Sequence, residues 1–224
     1  MKGTFTRMEK VLWGVSAGAI VLSFLVFDRE NWLTLAASLV GVTSLICCAK
    51  GYPVGQGLMI LFSLLYGVIS WTFRYYGEMI TYVGMTMPMA VLSLISWLRN
   101  PFEPGRAEVR VSRVPPRERR LALALTALVT WAFYYVLRAL GTANLIPSTL
   151  SVATSFLAAY LTFRRSAAYA LVYAANDVVL IVLWVLASMS DPAYVSVAVC
   201  FAAFLANDLY GFLSWRRMGR RQAA

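Results

Sequence analysis

The sequence predicts an all-α integral membrane protein of eight transmembrane helices, and three observations carry that expectation. Sixty per cent of the 224 residues are apolar and 13% are charged, against about 25% charged in a soluble domain. The mean hydropathy is +0.69. The charges are bunched into short basic clusters that separate apolar runs of roughly 20 residues, the length a bilayer demands of a helix that crosses it. Eight such runs consume most of the chain and leave no room for a separate soluble domain.

Helix 1 is expected over 11–27. Lys2, Arg7 and Lys10 precede it in the manner of a signal peptide, but the apolar run continues to Phe27 and meets Asp28-Arg29-Glu30 without a small-residue cleavage pattern, so it reads as an uncleaved span. Helix 2 follows over 32–49. Gly51 and Pro53 then break the chain before helix 3 over 54–73, and helix 4 covers 78–98 with Pro88 inside it. The one long connection, 101–120, is dense in proline, glycine and arginine and reads as a solvated loop. Helices 5 to 8 are expected over 121–138, 145–162, 167–188 and 193–215, with a basic tail beyond.

With the N-terminus inside, 17 of the 20 Lys and Arg fall on the cytoplasmic side, leaving Arg29, Arg74 and Arg138 outside. That asymmetry places both termini in the cytoplasm and supports an even number of spans. The net charge of +10 belongs to span ends rather than to one interleaved face, so the lipid bilayer and its anionic headgroups are the expected partner and nucleic acid is not.

Internal organisation follows. Residues 1–30 hold the N-terminal extra helix, 31–100 a first three-helix bundle, 101–143 the loop and a linker helix, and 144–224 a second three-helix bundle with the basic tail. Each bundle opens on asparagine (Asn31, Asn144), each turns at basic residues (Lys50; Arg164 and Arg165), and each closes on related text, LSLISWLRN (92–100) and YGFLSWRRM (210–218). A single intervening helix makes the two triplets parallel repeats, the 3+1+3 arrangement in which a substrate lies between the halves.

Chemistry concentrates in two acidic residues that lie within spans rather than at their ends, Asp177 in YAANDVVLIVLW and Asp208 in FLANDLYGFLSW. A carboxylate inside a bilayer costs several kcal/mol unless it meets a partner or a wet cavity. No Lys or Arg lies in the interior of a span. Each acid follows an asparagine (Asn176, Asn207) and precedes a tryptophan by seven residues (Trp184, Trp215), on one helical face. Tyr173 and Tyr210 flank the pairs. Asp177 and Asp208 come about 15 Å and 12 Å into the membrane from the same side, on antiparallel neighbours, and so can share a cavity. Carboxylates, amides and rings together suit a flat polar or cationic ring bearing hydroxyls; the competing use of the asparagines is interhelical packing. Trp13, Trp32, Trp71, Trp97 and Trp215, near span ends, read as interfacial anchors. Cys47, Cys48 and Cys200 read as buried apolar residues. There is no histidine, no spaced cysteine motif and no phosphate-binding glycine loop, which argues against a metal site, a cofactor, an enzyme or direct ATP drive.

On TANLIPSTLSVATSFLAAYLTFRRS (142–166), YAANDVVLIVLWVLAS (173–188) and ANDLYGFLSWRRM (206–218), supported by YYGEMITYVGMTMPMAVLSLISWLRNP (75–101), the chain resembles the PnuC family of vitamin transporters over nearly its whole length. The resemblance implies uptake of nicotinamide riboside across the bacterial inner membrane by facilitated diffusion, with trapping by phosphorylation in the cytoplasm. It also implies a fold like that of the sugar-exporting SWEET proteins, and a homotrimer. Its binding residues would be Asn176, Asp177, Trp184, Asn207, Asp208 and Tyr210, and the flanking Tyr173 joins them by its place one turn before Asp177. The chain departs from many members in carrying Ala90 after Pro88-Met89, where they have glutamine, so thiamine and riboflavin remain as alternative vitamins.

Overall fold

The computed structural model describes residues 5–72, 75–142 and 144–224. Lys2, Phe73, Arg74 and Ala143, which enter the charge count, the end of helix 3 and the linker boundary above, lie outside the described residues. Among the described residues, eight helices are long and apolar enough to cross a membrane: α1 Arg7–Phe27, α2 Trp32–Ala49, α3 Pro53–Thr72, α4 Tyr76–Leu98, α5 Pro116–Ala139, α6 Leu145–Phe163, α7 Ala168–Ser188 and α8 Tyr194–Ala223.

Three boundaries differ from the expectation by more than two residues, each for a local reason. Helix α1 starts four residues early because Thr6 and Glu9 form a reciprocal capping box that satisfies its first amides. Helix α5 starts at Pro116, where proline at the first turn loses no hydrogen bond, and Glu118 suits the positive helix end. Helix α8 runs on through the basic tail to Ala223, where Arg221 pairs with Glu108 and Gln222 donates to the Val109 carbonyl at 3.0 Å.

The loop after α4 is correspondingly less solvated than its composition suggests. Val109 is fully buried, and its amide donates to the Gly51 carbonyl at 2.9 Å, while the Ser112 amide donates to the Arg165 carbonyl at 2.9 Å. Gly51 and Arg165 occupy matching places. Both have positive φ, 68° and 55°, and both end a helix with the same pair of bonds, Tyr52 N to Cys47 O (3.1 Å) and Gly51 N to Cys48 O (2.8 Å) after α2, Ser166 N to Leu161 O (3.0 Å) and Arg165 N to Thr162 O (2.9 Å) after α6.

The correspondence extends to the ends of α4 and α8. Ser96 Oγ and Trp97 Nε1 donate to the carbonyls of Phe163 and Thr162, both at 2.9 Å. Ser214 Oγ and Trp215 Nε1 donate to those of Ala49 and Cys48, at 2.7 and 2.8 Å. Each Ser-Trp pair thus caps the first helix of the other triplet, and the two indoles meet at 5.2 Å between ring centroids. The reading of Trp97 and Trp215 as interfacial anchors is corrected accordingly: both are fully buried. Trp13, Trp32 and Trp71, at 41%, 65% and 60% exposure, face outward as anchors should.

The extra helix α1 lies against α8 and α2 and is fastened by polar contacts spread along its length. Tyr210 OH donates to Glu9 at 3.0 Å, Asn207 Nδ2 to Ser16 Oγ at 2.9 Å, and Ser196 Oγ to Asp28 at 3.3 Å. Glu9 also pairs with Lys50 at 3.1 Å. Asp28 lies in the turn after α1, and burial there raises its carboxyl above the ordinary value. Helices α2 and α3 approach closely through Gly55, where a Cβ would lie 2.7 Å from the Cys48 amide nitrogen; Ser44 Oγ closes the gap by donating to the Gly55 carbonyl at 2.7 Å. Helix α5, packed mainly on α6, is the most outward-facing span, with 11% of its apolar stretch buried.

Candidate functional site

Between the two triplets, at mid-span, lies a cavity of about 30 Å³. Its polar lining comes from four helices: Ser155 on α6, Tyr173, Asn176 and Asp177 on α7, Asp208 on α8, and Tyr82 with Thr86 on α4; Leu45, Met59, Phe62, Phe201 and Phe204 complete the wall. The larger void in the molecule, 1180 Å³, lies elsewhere, in the arginine-lined crevice between the 101–115 loop, α5 and the end of α8. It belongs to the basic surface rather than to the span interior.

Local sequence explains how each polar group reaches the cavity. Pro88 cannot donate a backbone bond, and the helix before it widens into a π turn over Tyr82–Thr86, with Met87 N bonded to Tyr82 O. That extra residue per turn aims both Tyr82 and Thr86 inward. Asn176 is held by α6: its Oδ1 accepts from Thr154 Oγ1 at 2.8 Å and Ser155 Oγ at 3.0 Å. With the carbonyl occupied twice, the amide NH₂ is the edge left for a guest. Asp177 and Asp208 approach within hydrogen-bonding reach of one another, both at least 96% shielded from solvent by their 3% and 4% exposures. Among the described residues Asp177 Oδ2 has no hydrogen-bond partner, and no Lys or Arg lines the cavity.

The seven residues singled out in the sequence are therefore divided among three places. Tyr173, Asn176, Asp177 and Asp208 line the cavity. Trp184, a further two turns along α7, lies instead in an aromatic cluster with Tyr75 (5.1 Å), Tyr194 (5.5 Å) and Tyr66 (6.3 Å). Asn207 and Tyr210 face α1 through the contacts described above, and neither borders the cavity. Sequence reasoning missed Tyr82, Thr86 and Ser155. Pro88 was the available signal for the first two, since a proline inside a span displaces the residues one turn before it.

A second missed group is Glu78. It lies in the first turn of α4, where a carboxylate reads as a span-end residue, yet it is 3% exposed.

The cavity holds about one water-sized guest, whereas sites for small organic ligands occupy about 300–1,000 Å³. The conformation described is closed around the two carboxylates.

Comparison with known proteins places this architecture. The chain is 24% identical to the nicotinamide riboside transporter PnuC of Neisseria mucosa, across 99% of this chain and 85% of that protein. It is 21% identical to the protein of the same name from Haemophilus influenzae, across 86% and 82% of the two chains. The crystal structure of the vitamin B3 transporter PnuC superposes with a TM-score of 0.85 at 21% identity, covering 98% of this chain and 95% of that one. The family model described as nicotinamide mononucleotide transporter matches residues 31–217, and so α2 to α8, with the cavity they enclose, belong to a chain that is a member of this family of membrane transporters.

Proposed function

We propose that the protein takes up nicotinamide riboside across the bacterial inner membrane by facilitated diffusion, the riboside being trapped inside by phosphorylation. The observation that carries the choice of guest is the Asp177/Asp208 pair with no basic residue in the cavity wall. Two carboxyls held side by side repel, and a singly charged pyridinium ring placed against them relieves that repulsion. Asn176 and Ser155 supply partners for a carboxamide or ribose hydroxyls, and Tyr82, Tyr173 and Phe62 supply faces for the ring. The mononucleotide adds a phosphate of charge about −1.5 to −2. At about 5 Å from a carboxylate, each unit of that charge meets a repulsion of about 3 kcal/mol at an effective dielectric of 20, and no arginine or lysine offsets it. The riboside is the better guest.

The same reading keeps both termini in the cytoplasm, so that the arginine-rich end faces inward. It takes 31–100 and 144–224 as duplicated halves that part to admit the guest. The reciprocal Ser-Trp caps and the paired left-handed turns at Gly51 and Arg165 support that duplication. A homotrimer is part of the reading, and native mass spectrometry of the detergent-solubilised protein tests it.

The test of transport is uptake of labelled riboside into proteoliposomes that carry no ion gradient. Uptake to the external concentration and no further is the expected result; uptake that requires an imposed gradient would reject facilitated diffusion. One observation favours a second reading, proton-coupled uptake: adjacent carboxyls can share and release a proton when a cation arrives. An initial rate unchanged when a proton gradient is imposed and then collapsed excludes it.

A further inference from the structure

Of the eight buried polar atoms outside the central cavity and the arginine-rich end that have no hydrogen-bond partner among the described residues, four belong to one group: Glu78 Oε2, Tyr66 OH, Ser70 Oγ and Trp184 Nε1. They are not scattered. Ser70 stands one turn beyond Tyr66 on α3, hence on the same face. The Tyr66 ring lies 4.4 Å from that of Tyr82 and 6.3 Å from that of Trp184. Glu78 is within electrostatic reach of both Tyr66 and Tyr82. Trp184 is seven residues from Asp177 along α7, about 10 Å further from the arginine-rich end. Tyr82 belongs to both regions, since it also lines the central cavity and lies near Asp177.

A carboxylate, an indole and two hydroxyls, all shielded and none hydrogen-bonded among the described residues, make a costly arrangement for a protein at rest. The close contact of Gly77 with α5, where a Cβ would lie 2.5 Å from Leu137 Cδ2, keeps Glu78 turned inward. No salt bridge neutralises it among the described residues. The chemistry that would satisfy the group is a cationic ring for the carboxylate and the aromatic faces, with hydrogen-bonding substituents for Trp184 Nε1, Tyr66 OH and Ser70 Oγ.

We propose that Glu78, with Tyr66, Tyr82 and Trp184, forms an outer cation station that receives the pyridinium ring of the guest before it passes Tyr82 to the Asp177/Asp208 cavity. The inference rests on the reading of the chain as a carrier of nicotinamide riboside. Glu78 is then a binding residue of the access path, separate from the central pair.

Riboside uptake into proteoliposomes by the wild type, E78Q and E78D tests it, with wild-type Glu78 also labelled by a hydrophobic carbodiimide and read by mass spectrometry. E78Q is expected to raise KM about tenfold with Vmax within about twofold, and E78D, which keeps the charge, to recover most of the loss. In the wild type, the riboside is expected to slow carbodiimide labelling at Glu78, a readout that stands even if E78Q fails to assemble. An unchanged KM in E78Q, a loss confined to Vmax and not relieved in E78D, or labelling indifferent to the riboside would each overturn the station. Absence of uptake by the wild type would remove the carrier reading and the station with it, whereas wild-type uptake with an unaffected E78Q removes the station alone.

Discussion

The two ends of the bundle treat the same kinds of side chain in opposite ways. At the arginine-rich end, Trp97 and Trp215 are fully buried and each indole N–H reaches a carbonyl, with Ser96 and Ser214 doing the same alongside. The bonds run reciprocally between the triplets, so opening that end breaks all four together. Toward the other end Trp184 is as deeply buried, and its N–H approaches the Tyr66 hydroxyl, but among the described residues neither atom makes a hydrogen bond, nor do Ser70 Oγ and Glu78 Oε2. A satisfied network specifies one packed arrangement, and an unsatisfied one leaves free energy for a guest to recover. On the carrier reading, one closure is held by the protein itself and the other is left for a guest to complete, with the Asp177/Asp208 cavity between them.

The largest expected effect breaks the centre. Asp177→Asn removes one charge of the pair, and riboside affinity measured by calorimetry should fall by about 2–4 kcal/mol, roughly 30- to 1,000-fold. The melting temperature should hold or rise, because the substitution relieves a like-charge contact. Next comes the satisfied end. Trp97→Phe with Trp215→Phe keeps two rings and deletes two buried indole bonds, while the Thr162 and Cys48 carbonyls retain their backbone partners, at a cost of about 1–3 kcal/mol in stability, read as a lower melting temperature in detergent. Trp184→Phe sharpens the comparison: it deletes a donor that has no acceptor, so stability should change by less than about 0.5 kcal/mol while affinity weakens by about 1 kcal/mol. The smallest effect on binding is that of Tyr210→Phe, which loses the bond to Glu9 and should leave riboside affinity unchanged while costing about 1 kcal/mol of stability.

Much of the architecture was legible because the bilayer enforces it. Hydropathy placed eight spans, and α2 begins and ends where the sequence put it, at Trp32 and Ala49. What hydropathy cannot see is a helix that continues into water, as α8 does through its arginines to Ala223. The Thr6–Glu9 capping box was written in the sequence and overlooked, because attention to apolar runs passes over their polar preludes.

The site was half legible. The two Asn-Asp pairs look equivalent as text, and the acids do converge, but the asparagines diverge. Asn176 turns to hydroxyls on α6, whereas Asn207 is claimed by Ser16 on α1, a helix that only one triplet has against its last span. Tyr210 follows Asn207 to the same partner helix. Glu78 escaped notice for another reason. Its position near the end of a span suggests solvent, and only the packing of α3, α5 and α6 against the first turn of α4 shows otherwise.

The central claim is that buried carboxylates without a neighbouring cation select a positively charged, phosphate-free guest. Isothermal titration of the purified protein with nicotinamide riboside and with its mononucleotide tests that claim most directly. The account predicts binding of the riboside and an affinity at least about 100-fold weaker for the mononucleotide. Equal or tighter binding of the mononucleotide would contradict it.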